Sequence, residues 1–258
     1  MWPYILKTKY ITINAFGFFL LLGIFFSILF LRFIARKEKL SLINFYENLI
    51  YILSAGVMGS LIFGLLFSEN FGKEHIFNIL AKKWINLSFY GGIIFGLLAF
   101  WVIFRGNKDK WAWLDLGFLA LMLGNIFGLL GCFLIGSYYG KPTHWSVGVV
   151  YPNQYRTMVQ LINQPIYPVQ IFEMIISFLI IVILLFLIKK IKIQKGLAFI
   201  VGMTLYSFWR IVNDYFFLYQ PEKISFIKIN SLIALLFIIA NFFFWLLFLR
   251  KNKLKEEL

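Results

Sequence analysis

VQIFEMIISFLIIVILLFLI, running from Val169 to Ile188, contains a single charged residue, Glu173. An α-helix rising 1.5 Å per residue needs about 20 apolar positions to cross the hydrocarbon of a bilayer. This run meets that length, and it ends on Lys189 and Lys190, as a helix leaving hydrocarbon for water would. Six further runs read the same way: Thr12 to Leu31, Leu49 to Phe67, Leu87 to Phe104, Trp113 to Ile135, Gly196 to Leu218 and Ile229 to Leu249. Besides Glu173, only Asp115, Arg210 and Asp214 are charged within these seven runs. A lipid-facing backbone must satisfy its own polar groups, which selects helices, and the short alternating strands of a membrane barrel are missing. The expectation is an all-α, polytopic membrane protein with seven transmembrane helices, forming one integral-membrane domain over residues 1–258.

Composition agrees. Of 258 residues, 61% are hydrophobic and only 14% charged, too few charges to clothe a soluble domain of this length. The formal charge of +14 is carried in short clusters between apolar runs, which suits anionic lipid head groups and argues against a nucleic-acid face. Lys and Arg concentrate at Arg32 to Lys39, Arg105 to Lys110, Lys189 to Lys195 and Arg250 to Lys255. That side is expected to face the cytoplasm, with the N-terminus outside and the C-terminus inside. The first run lacks a small-residue cleavage site and reads as a retained span. A lone Cys132 excludes an internal disulfide, and His75 and His144 are too separated to suggest a metal centre; no pattern points to a metal or organic cofactor.

Small residues recur at helix-contact spacing: Ala55 with Gly59, Ser60 with Gly64, Gly92 with Gly96, Gly124 with Gly128. Gly117, Gly124 and Gly131 recur at seven, which predicts one packed side on the fourth span.

The polar residues inside the spans are the candidates for chemistry. Arg210 and Asp214, four apart, share a helix face and are expected to pair, with Asp214 roughly 6 Å nearer the outer surface. Gln170 and Glu173 open the fifth span from the same side. Asp115 suits the positive end of a helix dipole. Between spans four and five, the loop from Gly136 to Pro168 is rich in prolines and aromatics and is expected to form an ordered rim. Its Lys141 could attract a lipid phosphate as a point charge. Nucleotide loops, zinc-protease pairs and serine elbows are absent.

At these residues the chain resembles the prolipoprotein diacylglyceryl transferase family. Gly128-Leu129-Leu130-Gly131-Cys132-Phe133-Leu134-Ile135-Gly136-Ser137-Tyr138-Tyr139-Gly140-Lys141-Pro142-Thr143 looks like the family signature and the loop following it, and Gly148-Val149-Val150-Tyr151-Pro152 like its continuation. Tyr167-Pro168-Val169-Gln170-Ile171-Phe172-Glu173 is similar to a segment that normally reads His-Pro-Ser/Thr-Gln-Leu-Tyr-Glu. Tyr90-Gly91-Gly92 matches a double glycine, and Arg210-Ile211-Val212-Asn213-Asp214 resembles Arg-Phe-x-x-Glu. Departures are Leu129, where Arg normally follows the first glycine and is associated with phosphatidylglycerol binding, Ile135 for Asn, Tyr167 for His and Asp214 for Glu.

The resemblance implies a multi-pass enzyme of the bacterial cytoplasmic membrane. Its partners would be phosphatidylglycerol and a prolipoprotein signal peptide bearing a lipobox cysteine, whose thiol receives a diacylglyceryl group. It implies Arg210 on phosphate, Asp214 orienting it, Gln170 and Glu173 as polar contacts of the cavity, with Glu173 a candidate base, Tyr90 as a hydrogen bond near the reacting group, and Lys141, Gly91, Gly92, Gly128 and Gly131 on substrate. Cys132 is not expected to be the nucleophile, because the acceptor brings its own thiol. Two alternatives stay open: a related lipid-modifying enzyme with another acceptor, and an inactive lipid- or peptide-binding membrane protein.

Overall fold

The computed structural model describes residues 4–7, 12–43, 45–66, 88–152, 163–217 and 229–256. Among them are seven α-helices: α1 (Ala15–Lys37), α2 (Phe45–Leu66), α3 (Phe89–Ile103), α4 (Lys110–Ile135), α5 (Val169–Phe186), α6 (Leu197–Phe216) and α7 (Ile229–Glu256). A π turn, Leu187–Ile191, extends α5. Two small antiparallel ladders join them: β1 (Tyr4–Lys7) with β2 (Thr12–Asn14), and β3 (Val149–Val150) with β4 (Pro165–Ile166).

Each predicted span overlaps one helix, with shifted ends. Thr12 opens a strand rather than the first helix; Asn14 then caps α1 by accepting from the Phe16 amide at 2.9 Å. Ser88 likewise caps α3 through the Gly91 amide. The predicted limits Leu87, Phe67 and Leu218 lie outside the described residues, as do positions 153–162 of the long loop.

Among the described residues four helices are long and apolar enough to cross a membrane: α1, α2, α4, and α5 with its π turn. Helix α3 and the Ser231–Leu246 stretch of α7 are apolar but shorter. The surfaces of these helices fit lipid rather than water. Phe178 on α5 is 58% exposed, and Phe25, Phe33 and Phe242 are exposed as well. Helix α6 is polar on its inner face and apolar outside: Arg210 is 6% exposed and Phe208 63%.

The chain divides into two compact units, Lys39–Lys110 and the remainder, Met1–Glu38 with Trp111–Leu258. In the smaller unit α2 and α3 pack backbone to backbone. A Cβ on Gly59 would lie 2.5 Å from the Gly91 carbonyl oxygen, and one on Gly91 would lie 2.4 Å from that of Gly59. Only glycine permits this approach. Gly96, expected in the same face, has nothing within 4 Å of its Cβ position.

In the larger unit α1 packs on α4, where a Cβ on Gly23 would meet Phe127 at 2.9 Å and one on Gly131 would meet the Phe16 Cα at 2.9 Å. The packed side predicted for the fourth span therefore exists at Gly124 and Gly131, but Gly117 and Gly128 face open space. Asp115 caps a helix, although not its own. Its carboxylate accepts from the Gly196 and Phe199 amides at 2.6 and 2.7 Å, which fixes the start of α6 against α4.

Candidate active site

Helix α4 ends in a left-handed turn. Gly136 has φ of 73°, and the Ser137 amide returns to the Cys132 carbonyl at 2.9 Å. Two residues on, Tyr138 is itself left-handed, with φ of 58°. The reversal sends the next segment into a narrow ladder. The Gly140 amide reaches the Tyr167 carbonyl, the Lys141 amide that of Phe216, and the Tyr167 amide that of Lys141, all within 3.0 Å. A Cβ on Gly140 would sit 2.6 Å from Tyr167. The described parts of the long loop thus form an ordered strip that joins the start of α5 to the end of α6.

Beneath this strip lies a buried polar cluster centred on Glu173, itself 1% exposed. Its Oε1 accepts from the Tyr206 hydroxyl at 2.5 Å. Its Oε2 accepts from the Tyr138 hydroxyl at 2.9 Å, from Asn213 Nδ2 at 3.1 Å and from Arg210 Nη1 at 3.1 Å. The Tyr138 oxygen in turn accepts from Asn213 at 3.0 Å and, closely, from Arg210. The Arg210 guanidinium also lies over the Tyr138 ring, 5.5 Å from its centroid, while Phe217 packs on the same ring at 4.7 Å. A buried charge pair is tolerable only where further hydrogen bonds complete it, and here three neutral donors complete the carboxylate. One turn before Glu173, the buried Gln170 donates to the Ser137 carbonyl at 2.6 Å and ties α5 to the same turn.

This geometry revises the expected pairing. Among the described residues, the ion pair of Arg210 is with Glu173 rather than with Asp214. Four-residue spacing does place Arg210 and Asp214 on one stripe of α6. The arginine is long enough to reach across to α5, however, while the shorter Asp214 carboxylate accepts from Ser231 of α7. Lys141 is engaged at the end of α6: its Nζ donates to the Tyr215 carbonyl at 2.8 Å and lies over the Tyr215 ring. Gly131 is a packing contact to α1, and Gly128 leaves space beside α4. Tyr90, Gly91 and Gly92 open α3 in the smaller unit, where Tyr90 is buried. Leu129, at the position of the signature arginine, is a buried apolar residue.

Three members of the cluster were not anticipated: Tyr138, Tyr206 and Asn213. The last two lie four residues before and three after Arg210, so helical periodicity alone puts them on its face. Tyr138 could not be found that way, because only a left-handed turn brings it under the strip. Among the described residues no three His, Cys, Asp or Glu side chains converge to hold a metal.

Comparison with known proteins gives this cluster a context. Residues 3–247 match the family model described as prolipoprotein diacylglyceryl transferase. The phosphatidylglycerol–prolipoprotein diacylglyceryl transferase of Clostridium botulinum (strain Hall) is 24% identical over 248 residues, covering 94% of this chain and 95% of the relative. That of Clostridium tetani is 26% identical over 248 residues, covering 94% and 96%. The enzyme numbered 2 of Clostridium perfringens is 30% identical over 169 residues, covering 64% and 62%. With a match over residues 3–247, a range that contains the turn, the strip and both residues of the ion pair, the chain belongs to the prolipoprotein diacylglyceryl transferase family.

Proposed function

We propose that the chain transfers a diacylglyceryl group from phosphatidylglycerol to the lipobox cysteine thiol of a prolipoprotein. In this reading it crosses the bacterial cytoplasmic membrane seven times, N-terminus outside, with the Glu173–Arg210 cluster toward the outer leaflet. The observation that carries the proposal is the buried ion pair itself. A charged pair within membrane-spanning helices is costly, and such pairs mark functional sites by default.

The reaction forms a bond from the thiol sulfur to a glyceryl carbon of the lipid and breaks that carbon's bond to a phosphate oxygen. The catalyst must align the two membrane-held reactants and neutralise the departing phosphate. Arg210 supplies the cation, and its planar fork suits phosphate oxygens. Glu173 and Tyr138 hold that fork, and Asn213 braces both of them, the orienting task first expected of Asp214. Both Glu173 oxygens already accept hydrogen bonds, so Glu173 acts as an anchor rather than as the base. The thiol proton then passes to the newly exposed oxygen of glycerol phosphate, which balances the step without another reactant.

Leu129 favours a second reading, a lipid- or peptide-binding protein without turnover, because leucine cannot donate to a phosphate. Purified protein in phosphatidylglycerol liposomes with a lipobox-cysteine peptide separates the two. Thioether product from the parent, lost in Arg210→Ala, supports the transferase. Saturable lipid binding without product supports the second reading, and product appearing only in Leu129→Arg identifies an enzyme that has lost its activity.

A further inference from the structure

Asn213 occupies an unspecified position of the Arg-x-x-x-acid segment, so the family resemblance assigns it nothing. Its amide orientation is nevertheless determined. Glu173 Oε2 only accepts, so the side of Asn213 that faces it at 3.1 Å is the NH2 group. The same holds for Gln170, whose NH2 meets the Ser137 carbonyl at 2.6 Å. Each amide is thereby left with a carbonyl oxygen aimed away from its bonded partner. Both oxygens are buried with no hydrogen-bond partner among the described residues, in side chains 1% and 0% exposed. Buried acceptors are rarely left unsatisfied, and two attached to one cluster call for a donor from outside the chain.

We infer that the side-chain oxygens of Asn213 and Gln170 are the accepting half of a subsite for a hydroxyl-bearing lipid head group. The two amides brace consecutive residues of one turn, Ser137 through its carbonyl and Tyr138 through its hydroxyl. Arg210 is bound to the same Glu173 and Tyr138 oxygens that Asn213 contacts. A ligand with a phosphate for the arginine and O–H groups a few bonds away matches that set, whereas an ammonium head group would bring a second positive charge beside Arg210. The inference rests on the transferase reading for the identity of the lipid, and it adds which side chains distinguish the head group.

The test compares phosphatidylglycerol with phosphatidylpropanol, which has the same phosphodiester and charge but no head-group hydroxyl. Binding of each to the full-length protein in nanodiscs is measured by native mass spectrometry, without the acceptor peptide. The parent is expected to prefer phosphatidylglycerol by about two- to tenfold for each hydrogen bond formed. In Asn213→Leu and in Gln170→Met the preference falls toward one, even where both affinities decline together through a general loosening. Equal binding of the two lipids by the parent would overturn the inference and leave bridging water as the partner of these oxygens. A preference undiminished in both variants would overturn it too. Preference without peptide modification would count against the transferase reading alone; modification without preference would count against this inference alone.

Discussion

The α2–α3 pair and the α5–α6 pair solve the problem of helix association in lipid by opposite means. In the first, glycine removes the side chains and the backbones come so close that a Cβ on either Gly59 or Gly91 would fall within 2.5 Å of the other's carbonyl oxygen. In the second, the contact is held by long polar side chains that meet between the helices, with Glu173 at its centre. Lipid tails are as apolar as leucine, so neither pair can rely on hydrophobic attraction. Close packing gives shape without chemistry; the polar pair gives shape and a charge. Damage to the first should therefore lower stability alone, and damage to the second should lower stability and activity together.

The sharpest break is Glu173→Leu, which leaves Arg210 buried without its anion. A loss of about 3–5 kcal/mol is expected, read as a large fall in thermal midpoint in detergent, together with loss of transfer. Tyr138→Phe removes one hydroxyl that both donates to Glu173 and accepts from Arg210 and Asn213. It should cost about 1–3 kcal/mol and slow transfer in the fraction that remains folded. Gly59→Ala, whose Cβ would lie 2.5 Å from the Gly91 carbonyl oxygen, should cost about 1–3 kcal/mol through overpacking. Its transfer rate per folded molecule should equal the parent's, and a Gly59→Ala protein that was stable but inactive would dissolve the distinction between the pairs. Gly96→Ala, with space around it, should stay within about 0.5 kcal/mol of the parent.

Helix positions were legible because the signal is long and redundant: a run of about 20 apolar residues tolerates error at either end. The ends were not, since Thr12–Asn14 runs without a break into the apolar stretch that follows, and pairing with Tyr4–Lys7 makes it a strand. At the site, Glu173, Gln170 and Arg210 could be named as polar groups in the wrong solvent. Their pairing could not. Asp214 lies nearer Arg210 along the chain, but the ion pair depends on how far a side chain reaches between α5 and α6, and sequence spacing carries no such distance. Tyr138 was hidden for a related reason, because its place depends on two left-handed residues in succession of a kind, Gly136 and then Tyr138 itself, where a tyrosine gives no warning.

The central claim is that Arg210, held by Glu173, acts on the lipid phosphate through its planar fork. Arg210→Lys keeps the charge and an ion pair but removes the second nitrogen of that fork. Transfer from phosphatidylglycerol to a lipobox peptide, measured per folded molecule, should then fall at least about 100-fold, the order of one lost preorganised contact to a developing charge, with the thermal midpoint close to the parent's. A lysine variant that transfers at the parent rate would contradict the account.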